Sequence, residues 1–230
     1  MYKALIVYFV FIICNFMQLY ASTSISFEKS EIELYEKAIK IFNQKKYKQS
    51  IIMFQKVEDL YPFSYWAIKA KLLSGISNYN IGNYDSVISD MDDYIELCSD
   101  SNEEDLSYAY YLRIMSYYMQ IDKLQFGQQK AYRTLELAGE YIDLFPQSEY
   151  INEIKERARI VTEHVLAKEY FIGKFYLKGG KYLAAIKRFQ NVINNKNSKY
   201  FSKSIRYLIK AYLALGLDFE AQQYETLYSK

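Results

Sequence analysis

Apolar and small residues recur along this chain in helix-length runs, taken two at a time and separated by short polar breaks. Ala38 is followed by Ile41 three residues on. Tyr47 opens the next run, Ser50 is its small position, Phe54 packs back and Pro62 closes the unit. The order returns with Gly75, Tyr79, Gly82-Asn83-Tyr84, Val87-Ile88 and Met91. Tyr47 and Tyr84 are 37 residues apart, one repeat period and a short loop. Apolar residues three and four apart share one helix face, so each run predicts an amphipathic helix. A more divergent copy places one helix around Tyr108–Met119 and a second around Gln129–Leu144, ending at Phe145-Pro146.

The fullest copy lies between Tyr170 and Ile193. Ile172-Gly173, Tyr176, Gly180, Ala185 and Phe189 fit the spacing L-G-x2-Y … A-x3-F of a tetratricopeptide (TPR) repeat, a helix hairpin recurring at about 34 residues. Leu208, Tyr212, Gly216 and Ala221 begin a partial fifth. The predicted fold is all-α, a superhelical solenoid of about five TPR hairpins. A lone hairpin exposes an apolar face, so neighbours must stack. Gly75 and Gly173 occupy equivalent helix positions. Glycine costs about 1 kcal/mol against alanine there, which points to close helix packing. The two prolines, Pro62 and Pro146, each follow an aromatic residue at a helix end, where proline stops a helix. Without a Pro/Gly/Ser-rich linker, residues 22–230 read as one solenoid domain behind a signal segment at 1–21.

Lys3 and the apolar run Ala4–Ile13 form an export signal, too short to span a membrane, which takes about 20 residues. Two processing routes fit. Cleavage after Ala21 leaves Leu19 and Ala21 at the −3 and −1 places. Alternatively Cys14, at the end of the apolar run, is a lipid anchor preceded by Ile13. Either route leaves Cys98 without a disulfide partner, and it reads as a small apolar residue.

The formal charge of +2 offers no basic surplus for a nucleic-acid partner. The single histidine, His164, has no HExxH, CxxC or GxSxG context, and Gly179-Gly180 is a hairpin turn rather than a phosphate loop. Neither a catalytic residue nor a metal or cofactor is expected. The function belongs to the grooves and outer faces. By register, the inner face of the first repeat is Tyr35, Ile39, Phe42 and Asn43. That of the second is Leu72, Ile76, Tyr79 and Asn80, and that of the third is Tyr108, Tyr111 and Tyr118. An aromatic lining with two equivalent asparagines suits an extended apolar peptide.

Particular segments sharpen this. Leu34-Tyr35-Glu36-Lys37-Ala38, Tyr61-Pro62-Phe63, Tyr111-Leu112-Arg113 and Phe145-Pro146-Gln147-Ser148-Glu149-Tyr150 resemble the BamD family. So do Leu166-Ala167-Lys168-Glu169-Tyr170 and Ala184-Ala185 with Arg188. BamD proteins are TPR lipoproteins of the outer-membrane β-barrel assembly machinery. The chain differs at Asn194-Asn195-Lys196-Asn197, where the family carries Tyr-Pro. The resemblance implies a non-catalytic role on the periplasmic face of the outer membrane. It implies binding to a BamA-type barrel subunit through its POTRA domains and to C-terminal segments of unfolded outer-membrane proteins. It also assigns Arg188 to the POTRA contact, and implies attachment to the outer-membrane surface through a lipid anchor. The alternative is another periplasmic TPR lipoprotein, such as a pilotin-like secretin assembly factor. Lipidation at Cys14 predicts a mature chain starting with an acylated cysteine. Mass spectrometry of the N-terminal peptide checks this, and an unmodified peptide beginning at Ser22 refutes it.

Overall fold

The computed structural model describes residues 30–62, 64–98, 102–121 and 128–228. Cys14 and the Ala21 cleavage position lie outside them. The described residues are helices joined by short turns. They are α1 (30–43), α2 (Tyr47–Leu60), α3 (Tyr65–Asn80), α4 (Tyr84–Leu97), α5 (Glu103–Met119), α6 (Gln128–Leu144), α7 (Ile151–Lys178), α8 (Tyr182–Ile193), α9 (Phe201–Ala214) and α10 (Asp218–Tyr228). They fall into two compact units, one ending at Met119 and one beginning at Gln120. In each unit consecutive helices pack as antiparallel hairpins of the TPR kind. The boundary falls between α5 and α6, the pair expected to form the third repeat.

Three hairpins share one packing rule. A small residue on the first helix, a small residue 12 places later and a large one four places beyond that recur as Ala38/Ser50/Phe54, Gly75/Val87/Met91 and Gly173/Ala185/Phe189. Each member is buried. A Cβ on Gly173 would lie 2.8 Å from the Phe189 ring, closer than side chains tolerate. Phe189 cannot retreat readily, because its ring stacks on Tyr207 at 5.6 Å and meets Tyr170 at 6.3 Å. A Cβ on Gly75 would meet the Met91 terminal methyl, the end of a flexible side chain that has to shift to make room. Glycine is tolerated mid-helix because the partner helix takes the space of its missing side chain.

The turn inside a hairpin is also shared. Lys45, Gly82, Gly180 and Gly216 all have positive φ, at 58°, 76°, 71° and 71°. The following amide reaches back five residues in each case: Lys46 to Ile41, Asn83 to Asn78, Lys181 to Tyr176 and Leu217 to Tyr212. This Schellman arrangement satisfies the last helical carbonyls. Three copies use glycine and the first uses lysine.

The turns between hairpins rest on serine. Ser64 accepts from the Ala67 amide at 3.0 Å, an N-cap for α3. Ser148 and Ser198 each accept from the amide two residues on, Tyr150 and Tyr200, at 3.2 Å. Their own amides donate to Phe145 and Asn195. The Asn195–Ser198 segment therefore makes the turn that Phe145-Pro146-Gln147-Ser148 makes. The missing Tyr-Pro leaves the backbone path unaltered, because serine holds the turn.

The 28-residue α7 runs well beyond one TPR helix. Its first half packs on α6 and buries Ile154 and Val161, and its second half is the first helix of the Gly173 repeat.

Truncating Phe189 to alanine should cost about 3–5 kcal/mol, the range for a buried phenylalanine. Urea unfolding would show it, and a loss under about 1 kcal/mol would mean that the Gly173 contact is not a core contact. Lys45→Gly should stabilise by up to about 1 kcal/mol, while Gly180→Ala should cost a similar amount. Equal midpoints for wild type and both variants would contradict the shared turn.

Candidate functional site

In the first unit α1, α3 and α5 share a face lined with aromatic rings. Tyr35 on α1 lies 4.7 Å from Trp66 and 6.3 Å from Phe54. Tyr65 meets Trp66 edge-on at 5.1 Å. The Lys69 ammonium stands 5.9 Å above the Tyr65 ring and forms an ion pair with Asp105 on α5. The hydrogen bond to Asp105 holds the Lys69 pKa above its ordinary value against the opposing effect of burial. Burial, helped by Tyr65 and Asp105, pushes the Tyr35 phenol up to about 12. Tyr35 therefore stays neutral across the physiological range and offers an apolar ring with one hydroxyl. On α5, Tyr108 and Tyr111 stack at 6.0 Å.

The expected inner-face residues separate into several groups. Tyr35, Ile39, Ile76, Tyr108, Tyr111 and Tyr118 are half-buried. Phe42 packs on Tyr47 at 5.9 Å and Tyr79 on Tyr84 at 5.7 Å, equivalent pairs that brace their own hairpins. Leu72 is a correction. At 5% exposure it belongs to the core around Val87, Met91 and Tyr94, because α4 closes over it. Asn43 and Asn80 are exposed at equivalent helix ends. The Asn80 amide donates to the Ile76 carbonyl at 2.8 Å, so part of its capacity is used locally.

Tyr65, Trp66, Lys69 and Asp105 were missed by the sequence reading. The signal was the register of α3 itself. Counting back from Ile76 by seven and eleven reaches Lys69 and Tyr65 on the same face.

In the second unit Arg188 does not stand free. It donates to Glu169 at 2.8 Å, and Asn191 donates to the other oxygen of that carboxylate at 2.8 Å. The Glu169 side chain is 4% exposed and that of Arg188 is 35% exposed. Tyr132 of α6 lies near the pair. Its phenol is pushed up first by burial and then by the Glu169 charge, with Arg188 opposing. Arg188 therefore has a structural duty to a buried carboxylate, and one third of it faces outward.

Stacked helix hairpins with an aromatic inner face define a TPR scaffold protein. The family model described as "YfiO: Outer membrane lipoprotein" matches residues 27–227, and the chain belongs to that family. It is similar to the outer membrane protein assembly factor BamD of Rickettsia prowazekii, with 31% identity over 195 residues, 84% of this chain and 77% of that protein. BamD of Caulobacter vibrioides is 28% identical over 199 residues, covering 86% of this chain and 65% of the relative. Among solved structures, a crystal structure of MamA shares 18% identity at a TM-score of 0.40, over 85% of this chain and 88% of that one.

Removing Arg188 strands the Glu169 carboxylate. Breaking a buried pair costs about 3–5 kcal/mol, and the partial exposure of Arg188 sets the expectation for Arg188→Ala at or just below the low end, about 2–3 kcal/mol. Glu169→Gln combined with Arg188→Ala should recover most of that, since no buried charge is left. Thermal unfolding of the wild type, the two single variants and the double variant in a double-mutant cycle measures the coupling. Additive losses would show that the pair is not coupled.

Proposed function

We propose that the chain is a non-catalytic component of outer-membrane protein assembly that holds C-terminal segments of unfolded outer-membrane proteins and docks on a BamA-type barrel subunit through its POTRA domains. The observation that carries this is the family match over nearly the whole described chain, joined to the aromatic α1/α3/α5 face. The same match favours this reading over a pilotin-like secretin factor. The family description supports outer-membrane association. A periplasmic position and an anchor at Cys14 complete the proposal.

The physics of the face suits its proposed occupant. An extended strand presents side chains alternately, every second one to the same side. The Tyr35–Trp66–Tyr65 cluster offers ring area to those apolar side chains. Lys69, already on an aromatic ring, has three N–H donors and can bind a peptide carboxylate while keeping Asp105. Docking of the barrel subunit is assigned to the second unit, with the outward third of Arg188 at the contact. Arg188→Lys is the informative variant, since it keeps a charge for Glu169 but lacks the planar fork that binds a second carboxylate.

Fluorescence anisotropy with a labelled C-terminal outer-membrane-protein peptide tests the first part. Tyr65→Ala with Lys69→Ala should weaken binding about tenfold or more, equal to about 1.4 kcal/mol. Helical circular dichroism should be unchanged, because Tyr65 is exposed and Lys69 is not in the core. Unchanged affinity would refute the site. For the second part, Arg188→Lys should lower recovery of the barrel subunit in a pull-down from native membranes, and full recovery would refute the contact.

A further inference from the structure

Both units contain ion pairs, but one stretch of the second has cations and no acids. In the first, Lys69 pairs with Asp105, Lys71 with Glu58 and Asp93, and Arg113 with Asp92. In the second, residues 170–178 of α7 and all of α9 carry Lys174, Lys178, Lys203, Arg206 and Lys210 and not one acidic residue. The neighbouring Glu169 is buried and taken up by Arg188 and Asn191. Among the described residues none of the five cations has an ion pair. Two of them lie over aromatic rings instead. The Lys174 ammonium lies 5.5 Å from the Tyr170 ring and 5.6 Å from that of Tyr207, and Lys210 lies 5.8 Å from Tyr207.

These residues border a trough between α7 and α9. One part, of about 430 Å³, is lined by Phe171, Lys174, Phe175, Leu177, Lys178 and Tyr207. A second part, of about 240 Å³, adjoins Lys203, Arg206 and Lys210 over the same tyrosines. Phe171 is 58% exposed and Phe175 73% exposed, on the rim of a positively charged cleft. Two large apolar side chains standing in water beside unpaired cations mark a surface that awaits a partner.

We propose that the α7/α9 trough binds an extended acidic peptide segment that carries an aromatic residue. Charge complementarity selects the acid: five cations without counter-charge favour carboxylates, and arginine and lysine bind them by charge-assisted hydrogen bonds. The depression over Tyr170 and Tyr207 selects a peptide, since it admits a single side chain while Phe171 and Phe175 flank it, whereas a bilayer presents a flat face. The spacing agrees as well. Lys203, Arg206 and Lys210 extend over about 10 Å of helix axis, at 1.5 Å per residue. Alternate side chains of an extended strand recur about every 6.6–6.8 Å, so two acidic side chains on one strand face reach that stretch.

Binding in this trough stands apart from peptide capture on the first unit, and the experiment keeps them separate. The probes are labelled nonapeptides: one alternating Asp with Phe, one with Asn in place of every Asp, and one with Ser in place of every Phe, together with vesicles of anionic phospholipid. Anisotropy should show saturable binding of the first peptide and at least tenfold weaker binding of the other two. Lys203→Glu with Arg206→Glu should weaken the first peptide at least tenfold. Both residues are exposed, so the fold should hold, which circular dichroism checks. Phe175→Ser should weaken it several-fold, and Tyr65→Ala with Lys69→Ala should leave it unchanged. Equal binding of the Asn peptide, or full affinity in the charge-reversed variant, would overturn the proposal. So would co-sedimentation with the vesicles without saturable peptide binding, which would assign the trough to a lipid surface.

Discussion

Close approach of two helices at a small residue is the constraint on which the Ala38, Gly75 and Gly173 hairpins depend. At Gly173 the gap is filled by Phe189, and at Gly75 by Met91. Once that contact is set, the neighbours follow. Phe189 stacks on Tyr207 of α9, so the contact within one hairpin also seats the next. Tyr170 joins them and stacks on Tyr200 at 4.8 Å. One small-to-large fit therefore propagates through three helices, which is how a repeat array turns local packing into a continuous core.

Much of this was legible in the sequence, because a buried contact between repeats needs fixed residue sizes at fixed spacing. Ala38/Ser50/Phe54 and Gly173/Ala185/Phe189 are visible as a pattern before any coordinates. Pro62 and Pro146 mark helix ends for a chemical reason, and the helices do end there. The lysine at the first αL turn was not legible. Lys45 carries no glycine signature, and only its φ reveals the equivalence with Gly82. Nor was the Asn195–Ser198 turn, since the element it shares with the Phe145–Ser148 turn is a serine and no proline marks the helix end there.

The candidate site was legible in part, for a related reason. Surface positions obey no size rule, so register alone nominates them. Register found Tyr35 and Tyr108 but also took Leu72, because a one-dimensional face count cannot show that α4 covers it. It missed Lys69 and Asp105, which lie 36 residues apart and meet only when α3 and α5 pack. The family resemblance named Arg188, yet its partner Glu169 was read only as one residue of a family-like segment. A buried carboxylate is rare enough to need a partner, and the arginine 19 residues on is that partner.

The same scaffold thus yields two chemically different faces. In the hairpin, packing fixes the small and large positions and leaves the outward turn of each helix free. In the first unit those free positions place acid against base, so Lys69 and Asp105 neutralise each other and the exposed character is aromatic. In the second, the acids on the corresponding stretch are withdrawn, Glu169 into a buried pair and the rest by their absence from α9. Lys174 and Lys210 remain with only tyrosine rings beneath them, and Lys178, Lys203 and Arg206 are exposed. A cation over an aromatic face gains about 0.5–1 kcal/mol when exposed, far less than a carboxylate can offer in a partly dry cleft. Such cations keep most of their capacity for an incoming acid. Selection among acidic and neutral partners would then depend on which positions of the repeat lack a counter-charge, a property that mutation can alter without touching the core.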